Sequence, residues 1–370
     1  MSRKLTIVNL SHLAWERKLF QRPQQLATRF AERGHEVSYF SLISFKRYMT
    51  SKMEDRIIQP RENLLAQHLP FIPLSRYFKP LGEATLQLLY AKARAPLSKA
   101  APGTRVLWLQ NPSYIKAVDR VPHDVLVYDA MDPFRAFAKS GEHTGDVEDR
   151  VLRRANVVFT GGRSLHSLIE GTAPGAHCFP SGIDFPHFAK GAAPGPIPAD
   201  LAKLPKPVLG YFGAVDERID WKLISVLCQA RRHWSIVFLG PLVLMDKIPI
   251  DEPNFHWLGP KPYDRLPDYL RGFDVCLIPW LVNDLTRYMS PTKTPEYLAA
   301  GRPVVSTPIP DVERDYAVEA LIARTPEEYI SACTTALMRG VGPAVKPPQS
   351  RTWDEIADEM LSLMTAALPR

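Results

Sequence analysis

From its first residues the chain alternates short apolar, β-rich runs with helical patterns, which predicts a parallel α/β architecture. Strands are expected at Leu5–Asn9, His35–Ser41, Arg105–Leu109, Val125–Asp129, Val157–Thr160 and His177–Pro180. Amphipathic helices fall between them at Arg22–Arg33, closed by Gly34, and at Leu81–Ala95 and Val147–Arg154. The periodicity then lapses over residues 189–206, "AKGAAPGPIPADLAKLPK", a Pro-, Ala- and Gly-rich stretch that reads as a linker. Beyond it the pattern restarts with strands Val208–Phe212, Ser235–Leu239, His256–Leu258, Val275–Pro279 and Pro303–Ser306. Helices are expected at Trp221–Arg231, Asp264–Leu270, Glu296–Ala300, Pro326–Met338 and, last, Trp353–Ala367.

This order predicts a domain over 1–188, a linker over 189–206, a second domain over 207–350 and a C-terminal helix within 351–370 that could return to the first domain. A length of 370 residues fits two cores better than one. Two doubly wound domains would turn the carboxyl ends of their strands toward a shared cleft, where ligands of such sheets bind.

Composition changes this picture in two places. The four cysteines are scattered singly, with no C-x-x-C or His/Cys cluster, so reduced thiols are expected rather than disulfides or zinc. No stretch approaches the ~20 apolar residues that span a bilayer, and the first ten residues do not form a signal peptide. Both features point to the cytoplasm. Charge is uneven: residues 1–105 hold 18 Lys/Arg against 7 Asp/Glu, an excess that leaves the remainder net acidic. Basic and aromatic residues interleave in "SFKRYMTSKMEDR" and "PLSRYFKPLGEATLQLLYAKARAPLSK". An anionic partner for the first part is expected, whether membrane surface, nucleic acid or phosphorylated acceptor; a solvated basic face is the plainer alternative.

The densest chemistry lies in "SPTKTPEYLAAGRPVVSTPIPD", residues 290–311. Ser290-Pro291 and Thr294-Pro295 each offer a capping hydroxyl before a proline, so Lys293 and Glu296 fall in or beside a first helical turn. Lys293 adds a full charge to an end that already favours an anion, and a phosphate fits there. Glu296 supplies two acceptor oxygens, suited to the vicinal hydroxyls of a ribose. The residues alone equally permit a dipole-compensating Glu beside a solvated Lys.

The segment "TKTPEYLAAGRPVVSTPIPDV" resembles the nucleotide-sugar motif of GT-B glycosyltransferases, especially family four (group 1) and its bacterial polysaccharide-assembly relatives. The resemblance continues in order through "RPQQLATRFAERGHEVSYFS", "VYDAMDPFRAF", "CFPSGIDFPHF", "VLGYFGAVDERIDWKLI" and "FHWLGPKPYDRLPDYLRGFDVCLIPW". It implies a GT-B fold of two Rossmann-like domains. The first would bind the acceptor and the second a nucleotide sugar, with UDP as the expected carrier. Glu296 would then hold the ribose hydroxyls and Lys293, with Thr292 beside it, the pyrophosphate. Arg218 and Lys222 would meet the phosphates, Gly213 would permit close backbone approach, and Tyr263 with Lys261 and Pro262 would flank the base. Tyr288 stands where the family places the first of two glutamates, which leaves the sugar and the stereochemical course open.

Several other side chains are candidates. Asp132, just past the strand "VLVYDA", is placed to act as general base on an acceptor hydroxyl, or to cap a loop. Arg22 could reach the donor phosphates and His12 could line the acceptor side, although a lone histidine is more often a satisfied loop residue. "DVED" at 146–149 reads as a solvated helical face rather than a metal site. No Walker, G-x-G-x-x-G or nucleophile-elbow sequence is present. The expectation is a glycosyltransferase without cofactor or metal, acting on a glycan or lipid-linked acceptor at the inner face of the cytoplasmic membrane, with no nucleic acid. The alternatives are a nucleotide-sugar 2-epimerase of the same fold and a non-catalytic protein binding nucleic acid or an anionic surface.

Overall fold

The computed structural model describes residues 3–16, 20–71, 79–136 and 144–369. It separates into two compact units. The first contains the described residues up to Glu16, those from Phe20 to Pro180, and Trp353 onward; the second runs from Ser181 to Thr352.

The sheet of the first unit has strands β1 (Thr6–Ser11), β2 (Glu36–Ser44), β3 (Ile57–Arg61), β4 (Leu64–Phe71), β5 (Arg105–Leu109), β6 (Val125–Ala130), β7 (Val157–Thr160) and β8 (His177–Cys178). Their order is β3-β4-β2-β1-β5-β6-β7-β8, all parallel except the antiparallel edge pair β3–β4. Side chains alternate across this sheet as the strand repeat requires. Ile7, Tyr39, Trp108 and Val127 face one core, shared with helices Arg22–Glu32 and Trp353–Ala366. Val8, Phe40, Leu107 and Leu126 face the other. Helix Arg22–Glu32 begins with Pro23 at its second position and ends at Gly34, whose φ of +84° a Cβ would resist. Arg29 and Arg33 of that helix pair with Asp354 and Asp358 of the terminal helix.

In the second unit the strands are β9 (Val208–Phe212), β10 (Ser235–Leu239), β11 (Phe255–Trp257), β12 (Val275–Ile278), β13 (Val304–Ser306) and β14 (Ala320–Ile322). The order is β11-β10-β9-β12-β13-β14, all parallel. β9, β10 and β12 are buried throughout, as central parallel strands must be. The α/β character expected from the alternation holds in both units. Not anticipated were the β3–β4 hairpin, β14, and helices Phe45–Thr50 and Pro310–Tyr316. Cys228, Cys276 and Cys333 are buried free thiols. Arg17, Lys18 and the basic, aromatic residues 72–78 lie outside the described residues.

Candidate donor-binding site

The second unit gathers its polar chemistry where β9 and β12 end. β9 runs out at Phe212 into Gly213, and β12 at Ile278 leads to Trp280. Helix Lys293–Ala299 packs beside them, buried from Thr294 onward. Its anchor is Tyr297, whose hydroxyl accepts the Phe212 N–H at 3.1 Å. The helix begins one turn earlier than expected, and neither predicted cap acts: Thr292 is the N-cap and makes no side-chain capping bond. Pro295 instead occupies the third helical position, where a missing N–H costs nothing because that N–H would have no partner within the helix.

That start sets Lys293 and Glu296 one turn apart. The Lys293 ammonium lies 5.1 Å from the Trp280 ring centre and 5.5 Å from that of Tyr211, a cation held by aromatic faces. Burial pushes the Lys293 amine down, and the Arg218 charge pushes the same way. Burial pushes the Glu296 carboxyl up, opposed by Lys293 and reinforced by Asp184. Among the described residues, no hydrogen bond or ion pair reaches either end group. A half-buried cation and a buried carboxylate without hydrogen-bond partners in the protein are costly to keep.

Gly213 makes room for them. Its φ is +137°, and a Cβ there would stand 2.2 Å from Lys293 Cε and 2.8 Å from its Nζ. Gly240, at the end of β10, presses on the same turn; a Cβ on it would lie 1.7 Å from the Gly213 carbonyl oxygen. Two glycines thus leave bare backbone beside the ammonium, the arrangement that lets a phosphate approach closely.

Arg218 joins the group. Its guanidinium lies 5.1 Å from the ring centre of Trp280, the same indole that Lys293 meets, and Asp216 holds it by several hydrogen bonds. Asp216 therefore fixes the guanidinium and neutralises part of its charge. Tyr263 stacks on His187 with ring centres 4.5 Å apart and planes 8° apart, while His187 Nε2 meets the Tyr263 carbonyl at 3.0 Å. Burial lowers the His187 pKa, which favours the neutral ring in that stack. Lys222 is exposed on the first turn of helix Trp221–Ala230 and is not brought to Lys293. Lys261 is likewise engaged elsewhere, 2.7 Å from Asp200. Asp184, Asp216, His187 and Trp280 were not foreseen. The segments containing them stood out in sequence, but their pairings exist only after folding.

In the first unit the expected residues fare differently. Arg22 does not face a ligand. It is 1% exposed, and it donates from Nε and Nη2 to Asp129 at 3.2 and 2.9 Å, with Nη1 on the Phe179 carbonyl. A guanidinium buried on a helix facing a strand-end carboxylate is consumed by it, so none of Arg22 is left for a ligand. His12 Nε2 lies 3.1 Å from Asp132 Oδ2, each side chain about a quarter exposed. The His12 ring also meets Phe134 edge-on at 6.0 Å. Behind them Glu148, fully buried, accepts from Tyr128 Oη at 2.8 Å and Arg135 Nε at 3.2 Å, and burial holds its carboxyl above the usual range. "DVED" is thus no uniform solvated face, since its glutamate is an internal anchor for the segment after Asp132.

Residues 206–339 match the family model described as glycosyl transferases group 1. Over those residues the chain is similar to group 1 glycosyltransferases. They include Lys293, Glu296, Gly213, Arg218 and Trp280. A candidate teichuronic acid biosynthesis glycosyltransferase of Bacillus subtilis (strain 168) is 23% identical over 62% of this chain, which spans 63% of that relative's length. Three solved structures share the fold across nearly all of both chains. They are the sucrose-phosphate synthase of Thermosynechococcus elongatus (TM-score 0.69, 14% identity, 98% of this chain and 95% of that one), the E. coli trehalose-6-phosphate protein bound with UDP-2-fluoro glucose (0.62, 12%, 98% and 96%), and Anabaena HepE in complex with UDP and glucose (0.59, 14%, 97% and 99%). The matched residues therefore sit in a GT-B fold, as the ordered motifs implied.

Proposed function

We propose that the chain is a glycosyltransferase moving a sugar from a nucleoside-diphosphate sugar, with UDP as carrier, to a hydroxyl of a glycan or lipid-linked acceptor in surface-polysaccharide synthesis. It would work at the cytoplasmic side, peripherally on the membrane. The observation that carries the reading is the pair of half-buried Lys293 and buried Glu296, whose end groups make no hydrogen bond or ion pair among the described residues, beside the bare backbone of Gly213. Two of the structural neighbours hold UDP or a UDP sugar, and the B. subtilis relative is named for a wall polysaccharide.

On this reading Lys293, with Arg218 steered by Asp216, stabilises the charge that develops on the leaving diphosphate. Glu296 accepts from the ribose hydroxyls, and the His187–Tyr263 stack offers an aromatic face to the base. The acceptor is assigned to the first unit, where Asp132 takes the proton of the attacking hydroxyl and His12 steadies its carboxylate. A base there implies direct displacement and inversion at the anomeric carbon. No step in this scheme is routed through a metal or other cofactor.

The test is a thermal-shift screen over UDP, GDP and dTDP sugars, followed by product analysis with an acceptor. A ligand at 100 times its Kd should stabilise the fold by about 2.7 kcal/mol. Stabilisation by none of the three would sink the donor assignment. Conversion of donor to its epimer without acceptor would move the assignment to an epimerase.

A further inference from the structure

One edge of the first unit is built unlike the rest of its surface. β2 runs directly into helix Phe45–Thr50, capped by Ser44, whose Oγ accepts the Arg47 N–H at 3.3 Å. A second short helix, Met53–Arg56, then leads into the edge strand β3. Among the described residues, five of the fourteen large apolar side chains that stand exposed fall in residues 45–71: Phe45, Met49, Met53, Ile57 and Phe71. Phe45 and Met49 are four apart and share a helix face. A surface groove of about 700 Å³ lies over Lys52, Met53, Glu54 and Ile57.

The charge on this edge is as uneven as its hydrophobicity. Residues 45–61 contain five basic residues against two acidic ones, within the first 105 residues that carry the chain's excess positive charge. Lys46 is exposed on the same helix as Phe45 and Met49. Arg56 is folded back over Tyr48, 4.4 Å from the ring centre, and donates to the Ser51 carbonyl at 2.8 Å, which ties the two helices together. The scaffold is therefore held while its apolar tips stay in water. Exposed Phe, Met and Ile interleaved with cations on short helices lying along an edge suit the headgroup boundary of an anionic bilayer, where apolar tips enter and cations stay at the phosphates.

A protein partner adding a strand is the obvious rival for an exposed sheet edge. β3 is ill suited to it. The strand is only five residues long, contains Pro60, which has no N–H to give, and is irregular against β4. Among the described residues no helix is long and apolar enough to cross a membrane, so contact here would lie on the surface.

We propose that this edge, built from Phe45, Met49, Met53 and Ile57 with Lys46 and Lys52, docks the protein on an anionic lipid surface. The proposal deepens the peripheral placement given above and rests on it; vesicle binding is read without any nucleotide sugar, so its failure would leave the donor-site reading standing, and the reverse holds as well.

The experiment is flotation of the full chain with phosphatidylcholine vesicles, with and without phosphatidylglycerol. Binding is expected only to the anionic vesicles and should be lost near 1 M salt, where the Debye length falls to about 3 Å. Lys46→Gln with Lys52→Gln should weaken binding by roughly fivefold for each cation removed. Met49→Ser with Met53→Ser should weaken it on the order of tenfold. The control Val318→Ser, at a residue 90% exposed in the other unit, should change nothing. Absence of binding, equal binding to both vesicle types, or binding indifferent to both edge variants would overturn the proposal. Capture by poly-glutamate without capture by vesicles would overturn it too, in favour of an acidic protein partner.

Discussion

At the strand ends of the first unit, Arg22 and Asp129 meet in a bidentate ion pair with both side chains fully buried. At the strand ends of the second, Glu296 is buried and Lys293 half-buried, yet neither end group has a hydrogen-bond or ion-pair partner among the described residues. Both sites withdraw one cation and one carboxylate at least partly from water. In the first, each charge satisfies the other and a backbone carbonyl takes the remaining donor. In the second, glycines at 213 and 240 remove side chains that could have filled the space. The contrast separates a charge pair used to hold a fold from one that, on the proposed function, is kept ready for a ligand. It can be broken by substitution.

The largest effect is expected from Arg22→Met. Removing one member of a fully buried pair leaves Asp129 uncompensated, a loss of about 3–5 kcal/mol. The unfolding midpoint of the first unit in urea should drop sharply, and Arg22→Met with Asp129→Leu should recover much of it. Lys293→Met ought to behave in the opposite way, leaving stability nearly unchanged or raised while abolishing UDP binding. A strongly destabilised Lys293→Met would remove the distinction between the two sites.

Asp132→Asn comes next. The amide keeps the shape but lacks the basic oxygen, so kcat should fall by ~10²-fold or more with nucleotide affinity nearly intact. Transfer at the wild-type rate, or a product that keeps the donor's anomeric configuration, would count against Asp132 as the base. A smaller loss is expected for Glu296→Gln, about 1.5–3 kcal/mol of affinity for UDP, the scale of hydrogen bonds to a charged group. Isothermal calorimetry with UDP and uridine checks it: loss on both ligands supports a ribose contact, loss on UDP alone rejects it.

The contrast also explains what could be read from sequence. Central parallel strands such as "VLVYDA" and "VLGYF" are continuous apolar runs, and helix Pro326–Arg339 begins with Thr325 and Pro326, so these elements were legible. The β3–β4 hairpin was not, because Pro60, Gln67, His68 and Pro70 break both alternation and apolar continuity in an edge pair. Arg22 was misread because its partner lies 107 residues away, and nothing local shows that a cation will be consumed. Lys293 and Glu296 were legible as a pair because one short helix carries both. The roles of Asp216, Trp280 and His187 were hidden, since each depends on a neighbour supplied by another segment.

The smallest effect, and the one that probes the unpaired site most directly, is the pH dependence of UDP binding. Glu296 has its carboxyl raised by burial, so on the proposed function it offers two charged acceptor oxygens to the ribose hydroxyls only as pH climbs through that raised value. Lys293 has its amine lowered by burial and by Arg218, so its charge is lost at a lower pH than an ordinary lysine's. Affinity should therefore rise with pH while Glu296 ionises and fall again as Lys293 deprotonates, with a limiting slope of about tenfold per pH unit on each side. Each ion favours the charged form of the other, so the two limbs belong to the pair and not to single residues. Glu296→Gln should keep only the falling limb and Lys293→Met only the rising one, the latter at much weaker affinity. Calorimetric titrations from pH 7 to 10, above the second ionisation of the phosphate near pH 6, distinguish these cases. A wild-type profile that stays flat to pH 10 would mean that Lys293 is an ordinary solvated lysine, and the second unit would then lose the feature that sets it apart from the first.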